Sequence, residues 1–247
     1  MTRAVVVHPD DELLAQAVAA RLLLRLLDAQ SVRRPVHAVL TGGTVGIATL
    51  AAVAASPLRR AVDWSGVHLW WGDERFVPAG HADRNETQAR EALVDALVAD
   101  DGLPAANVHP MAGPDVVGTP EESAAAYAEE LATFGEDRAT PAFDVLLLGM
   151  GPDGHVASLF PGHVGLGALG TTVGVHGSPK PPPERVSLTF EAINRAREVW
   201  VVAAGHAKAE QVAAALGDSP REKVPAAGVA GTERTLWLLD VAAASPA

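Results

Sequence analysis

The chain has 247 residues, 48% of them hydrophobic and only 4% aromatic, enough length for one large α/β domain and enough apolar content for a core. Its 19 basic and 30 acidic residues leave a net charge of −11, which argues against nucleic acid or an anionic membrane as the main partner. There is no cysteine, which excludes disulfides, a thiolate nucleophile and any cysteine metal site.

Residues 4–7 form a short β-branched run ending at His8 and Pro9, and read as a first strand. Asp10 or Asp11 can cap a helix over 12–29, whose apolar positions Leu14, Val18, Leu22 and Leu26 recur every four residues. Arg33, Arg34 and Pro35 break it. A second strand, 36–40, runs directly into Thr41-Gly42-Gly43-Thr44, and 45–55 reads as a helix. Glycines let the backbone approach a ligand closely, and free amides at a helix N-terminus attract an anion. The alternative is a plain βα turn capped by Thr44. No Gly-Lys-Ser/Thr follows, so this is not a Walker A loop.

A third strand, 67–71, ends in Gly72-Asp73-Glu74-Arg75. Charges just past a buried strand are costly unless they pair with each other or meet a ligand, and both readings stand at this point. A helix is expected over 86–98, a brief strand over 107–110, and a helix over 120–134 with Pro120 at its start and acid in its first turn. Residues 143–148 read as a strand, and 145–148 within it are a fully apolar run, as expected of a strand buried on both faces of a parallel sheet. Gly149, Gly151 and Gly154 follow, and among them stand Asp153 and His155. That cluster is either a tight turn or a ligand site, since α/β sheets bind ligands outside the carboxyl ends of their strands.

Residues 162–183 are rich in glycine and proline and are expected to be a long irregular segment of functional or mobile character. Strands at 186–190, 199–203 and 235–239 and a helix over 208–216 complete the chain. Lys208, in a first helical turn, runs against the dipole preference and is either a solvated side chain or an anion ligand. The alternation predicts an α/β fold with a doubly wound, mostly parallel sheet flanked by helices. No repeat or linker is visible, so one domain spanning 1–247 is expected. No signal segment opens the chain and no apolar run of about 18 residues occurs, so the expectation is a soluble, cytoplasmic protein.

Taken together, these motifs resemble a known family. Residues 149–162, Gly-Met-Gly-Pro-Asp-Gly-His-Val-Ala-Ser-Leu-Phe-Pro-Gly, are similar to a signature of the glucosamine-6-phosphate isomerase/6-phosphogluconolactonase family. So are residues 70–78 (Trp-Trp-Gly-Asp-Glu-Arg-Phe-Val-Pro), 40–44 (Leu-Thr-Gly-Gly-Thr) and 178–183 (Ser-Pro-Lys-Pro-Pro-Pro). Residues 223–227 and 236–240 also fit, so the resemblance covers nearly the whole chain.

The resemblance implies a modified Rossmann-like fold and hydrolysis of 6-phospho-D-glucono-1,5-lactone to 6-phosphogluconate, the second step of the oxidative pentose phosphate pathway. A lactone is an activated ester, so water and one positioned base can open it without metal or other cofactor. His155 is then the general base and Asp153 its orienting partner. Arg75, or amides around Gly151 and Gly154, would meet the charge on the former carbonyl oxygen. Gly42, Gly43 and Thr44 would receive the phosphate, with Arg84 and Lys208 as cationic partners, and Asp73 would serve binding or orientation. The related isomerases carry Ala-Phe-Asn-Glu-Pro after the histidine. Here Ala-Ser-Leu-Phe-Pro follows, without the glutamate, which favours the lactonase over an amino-sugar-phosphate isomerase. A non-catalytic sugar-phosphate sensor is disfavoured because no DNA-binding segment precedes the first strand. The expected partner is a small sugar-phosphate lactone and the expected state a monomer.

Overall fold

The computed structural model describes residues 2–135, 139–217 and 219–245. In chain order the main elements are β1 (Thr2–His8), α1 (Asp11–Val32), β2 (Val36–Leu40), α2 (Gly43–Ala55), β3 (Val67–Trp71), β4 (Asp73–Arg75), α3 (Asn85–Ala89) and α4 (Asp95–Asp100). Then come α5 (Pro120–Phe134), β5 (Val145–Gly149), β6 (Thr172–Val175), β7 (Arg185–Leu188), α6 (Phe190–Ile193), β8 (Glu198–Ala203), α7 (Ala209–Leu216), β9 (Arg234–Asp240) and α8 (Val241–Ala244). Six strands form one sheet in the order β1-β9-β8-β5-β2-β3, and every pairing in it is parallel.

A parallel strand covered on both faces must be apolar at every position, and β5 shows the consequence. Val145 and Leu147 pack on the side of α1 and α2, whereas Leu146 and Leu148 pack on the opposite side with α5 and α7. All four expose 2% or less. Leu14, Val18, Leu22 and Leu26, the stripe read in the sequence, bury α1 against the first of these faces. Replacing one such leucine by alanine would cost about 2–5 kcal/mol. The helix starts are built as expected: Asp10 Oδ1 accepts from the Leu13 amide at 2.7 Å, and Thr119 Oγ1 accepts from that of Glu122 at 3.2 Å.

Four expectations need correction. The segment 162–183 is not irregular throughout, because Thr172–Val175 pairs antiparallel with β7. The run at 186–190 is β7, and it belongs with β4 and β6 to a separate three-stranded antiparallel sheet. That sheet begins where Gly72 leaves β3: its carbonyl accepts from the Leu188 amide at 2.7 Å, and Asp73 then pairs with Ser187. At 107–110 there is only a single bridge, Val108 to Leu69. The helix expected over 86–98 spans α3 and α4 with a π-helical turn, Arg90–Val94, between them. Among the described residues no helix is long and apolar enough to cross a membrane.

Candidate active site

From β2 the chain winds outward to β3, whereas from β5 it winds the other way, through β8 to β9. The two directions part between β2 and β5, which are neighbours, and a crevice opens beyond their carboxyl ends. Thr41 Oγ1 accepts from the Gly149 amide at 3.0 Å and ties those two ends together. A pocket of about 400 Å³ lies there. The turns after β2 and β5 form its floor, and the small antiparallel sheet brings Asp73, Arg75 and Arg185 to its wall.

His155 lines this pocket with its side chain 15% exposed. Its Nδ1 is 2.5 Å from Asp153 Oδ1, and a carboxylate at that distance accepts, so Nδ1 carries a proton, and in the neutral form of the ring the lone pair is on Nε2. Burial alone would raise the Asp153 carboxyl, but its hydrogen bond to His155, the His155 charge and then Lys180 override this and hold it well below the usual carboxylate range. Phe160 backs the imidazole at 4.6 Å between ring centroids. Gly151 is what lets the pair fold back over its own turn: a Cβ there would stand 2.5 Å from Asp153 Oδ1 and closer still to the His155 ring. Ala157, also on the pocket wall, holds φ 49, a conformation that costs a non-glycine residue roughly 1–2 kcal/mol.

Opposite the histidine, α2 begins at Gly42 with no side-chain cap, so its first-turn amides face the pocket without intrahelical partners. Asn85 explains Gly42, since a Cβ there would collide with its side-chain amide. The same Asn85 donates to the Asp73 carbonyl at 2.6 Å and accepts from Arg75 Nη1 at 2.5 Å. Arg75 also borders a shallow depression shared with Gly43 and Thr44. Lys208 reaches the pocket from the start of α7, and burial, then the Lys180 charge, pull its ammonium below the ordinary lysine range against the influence of Asp240. A protein of net charge −11 thus gathers Arg75, Lys180, Arg185 and Lys208 around one cavity.

His155, Asp73, Arg75, Gly42, Gly43, Thr44, Gly151 and Lys208 therefore line one pocket, with Asp153 behind the histidine. Arg84 does not join them. It is 2% exposed, donates to the carbonyls of Val77 at 3.0 Å and Met111 at 2.7 Å, and lies 3.4 Å from Glu86. Its guanidinium supports the loop beneath the site. Gly154 is also outside the lining: its φ of 83 makes the turn, and a Cβ would meet Val224 at 2.8 Å. The glycine amides expected to face an oxyanion are already engaged. Gly149 donates to Thr41, Gly151 to the His155 carbonyl at 3.0 Å, and Gly154 to the Gly151 carbonyl at 3.0 Å.

Four polar residues of the site were not singled out in the sequence: Asn85, Ser158, Lys180 and Arg185. Ser158 Oγ donates to Asp73 Oδ2 at 2.6 Å, and Arg185 Nη1 lies 4.0 Å from the same oxygen. Lys180 Nζ is 3.5 Å from both Asp153 Oδ1 and His155 Nδ1. The available signal for Lys180 was a lone cation inside a run of prolines, an unusual setting for a merely solvated lysine. Among the described residues no group of three or more His, Cys, Asp or Glu side chains is arranged to hold a metal ion.

Comparison with known proteins covers nearly the whole chain. The sequence pattern of the family described as glucosamine-6-phosphate isomerases/6-phosphogluconolactonase matches residues 9–237. The chain is 55% identical to the 6-phosphogluconolactonase of Streptomyces coelicolor, over 99% of this chain and 94% of that one. It is 46% identical to that of Mycobacterium leprae, over 99% and 98%. The three-dimensional structure of the 6-phosphogluconolactonase from Trypanosoma brucei superposes with a TM-score of 0.83 at 29% identity, covering 98% of each chain. The chain belongs to the glucosamine-6-phosphate isomerase/6-phosphogluconolactonase family.

Proposed function

We propose that this chain hydrolyses 6-phospho-D-glucono-1,5-lactone to 6-phospho-D-gluconate, with His155 activating the attacking water. The observation that carries the reading is the His155–Asp153 pair: Nδ1 is held at 2.5 Å on an imidazole that lines the pocket, which leaves Nε2 of the neutral ring as the proton acceptor. The relatives named above act on the same lactone by name, and the cationic lining suits a phosphorylated sugar.

In this reading the phosphate docks on the first-turn amides of α2 at Gly43 and Thr44, with Arg75 beside them and Lys208 across the pocket. Docking the phosphate sets the lactone C1 near the base, which converts a collision into a positioned attack. His155 Nε2 takes a proton from water as the water oxygen bonds to C1, and the carbonyl pair moves onto oxygen. The imidazolium that forms is stabilised by the Asp153 carboxylate. When the tetrahedral intermediate collapses, the C1 to ring-oxygen bond breaks and His155 returns the proton to that oxygen, which becomes the C5 hydroxyl. The product acid ionises, and the enzyme is regenerated. Asp73, held by Ser158 and Asn85, would orient sugar hydroxyls.

Parallel assays test the assignment: 6-phosphogluconate formation from lactone generated in place, and ammonia release from glucosamine 6-phosphate. Lactone turnover well above the spontaneous rate, without ammonia release, is expected. Ammonia release without lactone turnover would transfer the site to isomerase chemistry.

A further inference from the structure

We propose that Lys180 is a further catalytic residue, whose ammonium meets the negative charge developing on the lactone carbonyl oxygen, and that Arg185 is the residue that positions it. The inference rests on the hydrolytic reading given above and adds to it the missing oxyanion partner.

Two observations lead to Lys180. First, the glycine amides around 149–154 are engaged, Gly149 by Thr41 and Gly151 and Gly154 within the turn, and with the α2 amides given to the phosphate the pocket's side-chain cations are left for the charge on the intermediate. Second, Lys180 is the pocket cation beside the base, with Nζ 3.5 Å from His155 Nδ1. Its contact with Asp153 is also 3.5 Å, long for a charge-assisted hydrogen bond, whereas His155 holds the same oxygen at 2.5 Å. The carboxylate thus belongs to the histidine and the ammonium is only loosely retained. It is 38% exposed on a four-carbon stem, so it can turn from Asp153 to the substrate when a lactone enters. Arg75, by contrast, is held by Asn85 and the Asp83 carbonyl.

The backbone of Lys180 is held far more firmly than its side chain. Arg185, 4% exposed at the start of β7, donates Nη2 to the carbonyls of Lys180 at 3.0 Å and Pro181 at 3.1 Å, and Nε to that of Pro182 at 3.2 Å. Ser178 Oγ completes the clamp, donating to the Lys180 carbonyl at 2.8 Å and accepting from its amide at 3.2 Å. Arg185 thus spends Nε and Nη2 on the loop, while Nη1 lies 4.0 Å from Asp73 Oδ2 at the pocket wall, and the part assigned to it here runs through the backbone of Lys180.

The test is a double-mutant cycle on full-length protein, with kcat and KM measured for lactone hydrolysis and thermal unfolding recorded for each variant. K180M is expected to lower kcat about 100-fold with KM changed by no more than about threefold, the pattern of a donor used only in the transition state. R185Q is expected to lower kcat about 10-fold, and the K180M/R185Q double variant to be no slower than K180M alone, because the positioned group is already gone. If R185Q does not fold, S178A loosens the same backbone and must show the same non-additivity with K180M. Unchanged kcat in K180M, a raised KM alone, or losses that multiply in the double variant would each overturn the inference. If wild type hydrolyses the lactone, H155A does not, and K180M is unaffected, only this inference falls. If wild type fails to accelerate hydrolysis, the functional reading falls with it.

Discussion

Gly151→Ala isolates the placement of the base from its chemistry. Gly151 does not have positive φ, so alanine can adopt its backbone conformation, and the substitution should slightly restrict the unfolded chain rather than strain the fold. The new methyl, however, would stand 2.5 Å from Asp153 Oδ1 and nearer still to the His155 ring, against an ordinary contact beginning at 3.4 Å. The Asp153–His155 pair must therefore retreat by about an ångström, and displacement on that scale is enough to cost about 100-fold in rate. His155 faces an open cavity of about 400 Å³, so the ring has room to move and the cost falls on catalysis, not on folding. The assay is kcat for lactone hydrolysis beside a thermal melt. We expect kcat to fall about 100-fold with the melting temperature within a few degrees of wild type. A variant with kcat within about twofold of wild type would refute the claim that this turn holds the base in place.

Arg84→Ala should act on stability rather than affinity. It removes the donors to Val77 and Met111 and leaves Glu74 and Glu86 short of a buried counterion, a loss of about 3–5 kcal/mol in denaturant titrations with KM of the folded fraction unchanged. Tyr127→Phe should cost about 1–3 kcal/mol by the same measurement, because the buried hydroxyl both accepts from the Trp71 amide at 2.9 Å and donates to its carbonyl at 3.3 Å. Stability should also depend on pH through two histidines at the amino ends of β2 and β3, the buried His37 and the half-buried His68. Burial, then the charges of His68 and His109, lower His37 to about 3, and burial, then His109, lower His68 to about 4. The folded state then binds fewer protons than the unfolded one below 6.5, so their contribution is full above that pH and is lost as pH falls toward 4. For His37 this amounts to about 2 kcal/mol between pH 6.5 and about pH 5. Glu74, which burial pushes up to about 7, works in the opposite sense, so the comparison to make is wild type against His37→Asn, which keeps an acceptor for Trp70. The variant should lose stability less steeply on acidification, and identical slopes would remove His37 from the account.

The parts of the fold that local pattern dictates were legible. β2, β3 and β5 are apolar at nearly every position and stop at glycine or threonine, so their burial followed from the residues alone, whereas the turns at their ends read equally as plain turns until the resemblance was added. The antiparallel sheet was not legible, since Asp73–Arg75 and Thr172–Val175 are short and mixed in polarity, and they become strands only by pairing with β7 far along the chain. Arg84 was drawn into the phosphate site by the resemblance, and only its tertiary meeting with Glu74 and Glu86 shows where its charge is spent. The glycine amides around 149–154 were credible oxyanion donors until their partners within the turn were known. Lys180 went unassigned because its place depends on Arg185, five residues on but across a folded loop.

The central claim is that His155 activates water for attack on a lactone. It is tested most directly by following lactone carbonyl loss and 6-phosphogluconate appearance together, by NMR, for wild type and His155→Ala at equal concentration. The account predicts fast conversion by wild type and a return to the spontaneous rate in the variant, with the variant still folded and still binding the phosphorylated product. Acceleration that survives in His155→Ala would contradict it.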